Sequence, residues 1–186
     1  MLRAFVYVVL GWVLIAVVGG LAEVLDLTVM LPATSAVILT HVAFSRNTEL
    51  PLGLTVAVAL GYLEDLHQGA PLGTLTLAHA LTFLALRWAS ARLALTGVAL
   101  RAAISLAAGL AIDLVTFGVL VALADAFEVR RQVLVGTLSH LHWHGLATLL
   151  VAPPVWSLVD RLMAVLKLDD RPPGQVYWSG ERGRRG

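Results

Sequence analysis

Gly61-Tyr62-Leu63-Glu64-Asp65-Leu66-His67-Gln68-Gly69-Ala70-Pro71-Leu72-Gly73 is the stretch from which the fold of this chain is read. Two carboxylates, a histidine and a glycine–proline reversal interrupt a sequence that is otherwise apolar. An apolar helix is predicted from about residue 52, carrying Gly61 and Asp65 one turn apart on the same face. Gly69 supplies a left-handed stop, and Pro71 sits where the next helix can begin, its missing N–H costing nothing there. So short a reversal predicts a tight antiparallel helix pair, with Glu64, Asp65 and His67 near one membrane face.

The membrane itself follows from the composition. Of 186 residues 59% are hydrophobic and 13% charged, against roughly a quarter charged in soluble chains. The charges are clustered and leave apolar runs near the length of about 20 residues that a bilayer span needs. With no cysteine in the chain, disulfides, thiolate metal sites, iron–sulfur clusters and cysteine nucleophiles are excluded.

Working outward, six spans are predicted, at about 4–22, 27–44, 52–68, 71–88, 97–123 and 141–159. Gly20-Leu21-Ala22 imitates a signal-peptidase site, but the apolar stretch before it exceeds the usual signal core, so it is read as span 1. Thr74, Ala78 and Thr82 recur every four residues on span 4, a small-residue ridge suited to close helix approach. The apolar region 133–159 is too long for one untilted span: either 133–144 is an interfacial lead-in to span 6, the reading preferred, or the helix is tilted, with Pro153-Pro154 toward its end. Residues 1–168 thus form a single all-α, six-helix membrane bundle, and 169–186 a polar, disordered tail. With Arg3 inside, only Arg130 and Arg131 of the 13 basic residues fall in outer loops, which places both termini in the cytoplasm. Gly61-x-x-x-Asp65-Leu66 is echoed by Gly109-x-x-x-Asp113-Leu114, the pattern an internal duplication would leave.

Few residues are positioned for chemistry. An ionised carboxylate in hydrocarbon costs about 2.5–3.5 kcal/mol even on lenient scales, so Asp113 reads either as functional, or as lying near the outer interface or pairing structurally with Arg101 or His79. Asp65, at a helix end, reads as structural or partner-contacting, and Glu64 as solvated. His140 and His144 share a helical face while His142 points away, making His140 and His144 weak metal candidates that Glu64, His67 or Glu128 would have to complete. No His-Glu-x-x-His, Gly-x-Ser-x-Gly or phosphate loop is present. Ser105 has no activating base at helical spacing, and the basic residues are too scattered for nucleic acid. The expectation is a protein without catalysis and without cofactor.

The chain resembles the bacterial rod-shape-determining MreD family. The likeness rests on six short spans in a short chain, on Gly61-x-x-x-Asp65-x-x-x-Gly69-x-x-Leu72-Gly73, and on Ala152-Pro153-Pro154 before a basic end. It covers roughly residues 3–168; the histidine-rich lead-in and the arginine-rich tail lie outside it. The resemblance implies a non-enzymatic inner-membrane scaffold of the cell-elongation complex. Its partners would be an MreC-like protein, MreB-like filaments, and a RodA-type synthase with its transpeptidase. Gly61, Asp65, Gly69, Pro71, Gly73 and Asp113 would be its partner-binding or structural motif. The family is similar in fold to the S components of energy-coupling-factor transporters, so the competing expectation is a small-molecule or metal-binding carrier, with His41, His79, Asp113 and Trp143 as conceivable pocket lining.

Overall fold

A computed structural model describes residues 1–26, 31–45, 48–68, 71–93, 97–123 and 131–168, the last with side chains from Trp143 onward. Among the described residues the fold is all-α, with six helices: α1 (Leu2–Val24), α2 (Thr34–Phe44), α3 (Leu50–Gln68), α4 (Thr74–Ser90), α5 (Val98–Ala122) and α6 (Arg131–Val165). The segment 169–186, expected to be a disordered tail, lies outside these residues. Among the described residues three stretches are long and apolar enough to cross a bilayer: Leu2–Val24, Val98–Ala122 and Trp143–Val165.

The bundle is organised around its shortest helix. α2 has 11 residues and so reaches about 16 Å, roughly half a hydrocarbon core. It touches each of the other five helices. Nine of its residues are buried, all but His41 and Phe44, as expected of a helix that is apolar all round. A helix that ends inside protein still has to satisfy its terminal amides and carbonyls. At its start the Ala33 amide donates to Thr148 Oγ1 of α6 at 2.9 Å. At its end Arg87 of α4 donates to the Ala43 and Ser45 carbonyls at 3.0 and 3.2 Å. Side chains of other helices cap both termini.

Around this hub, α3 pairs with α4 and α5 with α6 as hairpins, and α1 packs on α2 and α3. The expected ridge on α4 faces inward: Thr74, Ala78 and Thr82 are all buried. α1 buries only Tyr7, Gly11 and Ala22. Two expectations change. The lead-in before span 6 is not a separate segment, because one 35-residue helix runs from Arg131 through Pro153 and Pro154 to Val165. Pro71 does not open α4, which starts three residues later at Thr74, for a reason found in Asp65.

Candidate functional site

Asp65 is buried in the last turn of α3, and its carboxylate caps α4. Oδ2 accepts the Gly73 amide at 2.9 Å, the Thr76 amide at 3.1 Å and the Thr76 hydroxyl at 2.7 Å. Oδ1 accepts the Leu75 amide at 2.9 Å. α4 has no side-chain cap of its own, since its N-cap is Gly73 in the left-handed region at φ 96°. A carboxylate from the preceding helix therefore satisfies the orphan donors at the positive end of α4 and fixes its start. Gly61, one turn earlier, lets the two backbones meet: a Cβ there would lie 2.6 Å from Thr76 Cα and 2.7 Å from the Leu75 carbonyl. Gly61, Asp65 and Gly73 thus form one lock inside the chain. Gly69, expected as the stop of α3, lies outside the described residues.

Beside this lock is a cavity of about 710 Å³, walled by α1, the start of α2, the end of α3, and Leu75, Ile112, Asp113 and His144. Two polar pairs meet its edge, Asp113–His144 partly buried and Glu64–His79 buried. Asp113 Oδ2 and His144 Nδ1 are 2.7 Å apart, so the partner of Asp113 is neither Arg101 nor His79 but a histidine on α6. His144 in turn accepts the Thr148 hydroxyl on its carbonyl at 2.8 Å, tying this pair to the cap of α2. On the other side Glu64 Oε2 stands 3.5 Å from His79 Nε2. Glu64 is 7% exposed, which corrects its reading as a solvated carboxylate: the turn of helix that aims Asp65 at α4 aims Glu64 into the bundle.

A second polar network closes the opposite end. Tyr7 Oη lies 3.0 Å from His41 Nδ1, and His41 Nε2 lies 3.0 Å from Asp160. Arg101 pairs with Asp160 at 3.3 Å and its guanidinium lies over the Trp156 ring, 4.9 Å from the centroid. Trp156 Nε1 donates to Ser105 Oγ at 3.0 Å. Four helices are joined here, and sequence reasoning missed it because its partners lie up to 119 positions apart. One signal was legible: Tyr7, His41, Arg101 and Asp160 all fall at the same depth when six alternating spans are drawn.

Of the expected pocket residues, Asp113 lines the cavity, whereas His41 belongs to the far network and His79 and Trp143 are not in the lining. Among the described residues no group of three or more His, Cys, Asp or Glu is placed to hold a metal ion. His144 is engaged by Asp113, while the His140 side chain and Glu128 lie outside the described residues. Comparison with known proteins returned no matching family model, no matching curated protein and no matching solved structure.

Proposed function

We propose that the protein is a non-enzymatic inner-membrane scaffold of the cell-elongation machinery, a relative of MreD that holds an MreC-like partner. Through it the scaffold would link MreB-like filaments to a RodA-type synthase and its transpeptidase. The observation that supports this reading is the α3–α4 lock. Three of the residues on which the resemblance rests, Gly61, Asp65 and Gly73, meet at one contact, with Asp65 capping α4 and Gly61 against its backbone. Partner contacts would then fall on other surfaces, because Gly61, Asp65 and Ala78 are consumed inside the bundle. α1 offers such a surface: Phe5, Val9, Val13, Val17 and Leu21 form an exposed ridge at four-residue spacing. Small residues support close helix approach on α5, where a Cβ at Gly118 would meet nothing within 4 Å.

In this reading all six helices lie within the membrane, in an arrangement like that of the transporter S components, with both termini cytoplasmic. Purification from native membranes tests it. MreC-like and RodA-type proteins should accompany the wild-type chain, and Gly118→Leu or Val13→Trp should weaken their recovery while the protein still inserts. Recovery of a transporter ATPase instead, with no elongation protein, would overturn the scaffold. A second reading, a small-molecule-binding S component, is favoured by one observation, the cavity of about 710 Å³, which lies within the range of ligand pockets.

A further inference from the structure

The cavity beside Glu64 has a chemical character of its own. Among the described residues, Glu23, Glu64 and Asp113 line it beside His67 and His144, and no lysine or arginine does. Ile15, Val18, Leu31, Leu75 and Ile112 supply apolar walls. Asp113 has a partner in His144 at 2.7 Å. Glu64 has none of that quality, and the reason lies in the wiring of His79. The Nδ1 of His79 is 2.9 Å from the Leu75 carbonyl, and a carbonyl only accepts, so Nδ1 carries the hydrogen. In the singly protonated ring Nε2 is then a bare acceptor, and the Ser35 hydroxyl donates to it at 3.0 Å. Glu64 Oε2, 3.5 Å from that same nitrogen, meets no donor there. Glu64 is thus more than nine-tenths buried, lines the cavity, and accepts no hydrogen bond from any described residue.

We propose that this cavity binds a small amphipathic organic cation, a molecule with one protonated amine on an apolar body, and that Glu64 is its counter-ion. A buried carboxylate is costly until a cation and hydrogen-bond donors reach it, and an ammonium group supplies both. Asp113 is already paired with His144 and Glu23 is exposed, so Glu64 is the one buried lining carboxylate without a hydrogen-bond donor, which suits a ligand carrying a single positive charge. The cavity has room for the apolar part, and its walls match it. Anionic ligands are disfavoured because the described lining carries three carboxylates and neither lysine nor arginine. The inference deepens the small-molecule reading and rests on the cavity; the scaffold reading is tested separately, by co-purification.

The experiment uses the full chain in nanodiscs and follows its thermal midpoint and calorimetric titration. The probes are primary amines from n-butylamine to 2-phenylethylamine, with 2-phenylethanol and 3-phenylpropanoate as neutral and anionic counterparts. Saturable binding of at least one amine is expected, with no stabilisation by the alcohol or the carboxylate. Glu64→Gln should weaken the amine by roughly tenfold or more. Gly20→Leu, at a lining position where a Cβ meets nothing within 4 Å, should fill the cavity and block binding without unfolding the chain. Amine affinity that survives Glu64→Gln, or no saturable amine binding, would overturn the proposal. Equal binding of the alcohol, or binding of the carboxylate alone, would overturn the cation while leaving a small-molecule pocket standing.

Discussion

Replacing Asp65 by alanine strands the amides of Gly73, Leu75 and Thr76, which its carboxylate now accepts. Lost caps and stranded buried donors each cost about 1–2 kcal/mol, so Asp65→Ala should destabilise by at least about 2 kcal/mol. The check is a fall in the thermal midpoint of the purified protein. Asp65→Asn should be intermediate, since an amide oxygen still accepts but its NH2 group faces other donors. Gly61→Ala acts differently, because the added Cβ would strike backbone atoms at 2.6 and 2.7 Å that cannot rotate away. Separating α3 from α4 to fit it should cost about 1–3 kcal/mol. Gly118→Ala, with open space around the new Cβ, is the control and should shift stability by no more than about 0.5 kcal/mol. If both glycine variants behave alike, close backbone approach is not what Gly61 provides.

At the scale of elements, α2 is held by groups it does not contain. Thr148→Val keeps the side-chain shape but removes the acceptor of the Ala33 amide. It should cost about 1–3 kcal/mol, the penalty of one unsatisfied buried donor. Thermal unfolding of this variant, set against wild type, measures it. Asp113 and His144 join α5 to α6 at 2.7 Å, and removing either partner leaves the other unpaired in a partly buried site. A double-mutant cycle of Asp113→Asn and His144→Leu should show a coupling of about 1–3 kcal/mol, the two losses being less than additive. Strict additivity would mean that the contact carries no stability. The sequence echo acquires a physical content here. In both copies a glycine sits at a helix contact, Gly61 of α3 against the α4 backbone and Gly109 of α5 with its would-be Cβ 3.2 Å from Ala33. Four residues on, an aspartate holds a neighbouring helix. The spacing of glycine and aspartate was legible in the sequence; their partners were not. Asp65 binds backbone amides, which every residue possesses, and His144 lies 31 positions from Asp113.

At the scale of the whole molecule, the proposed orientation places the Asp65 end on the periplasmic side and the Asp160 end on the cytoplasmic side. The chain has no cysteine, so single cysteines report on each face without background. Leu72→Cys, in the exposed α3–α4 link, should react with an impermeant maleimide in intact cells. Leu166→Cys, exposed just beyond α6, should react only after permeabilisation; the reverse pattern would overturn the orientation. By itself the sequence determined the class of molecule: all-helical, apolar enough for a bilayer, and reversing sharply between Gly61 and Gly73. Those properties reside in local runs of side chains, because helix length, apolar content and turn chemistry are set by neighbours in the chain. Only the tertiary structure decided where the carboxylates point. Glu64 and Asp65 are adjacent in sequence, yet one caps a helix and the other lines a cavity. Successive helical side chains diverge by about 100°, and what each then meets depends on how α2, α4, α5 and α6 are packed.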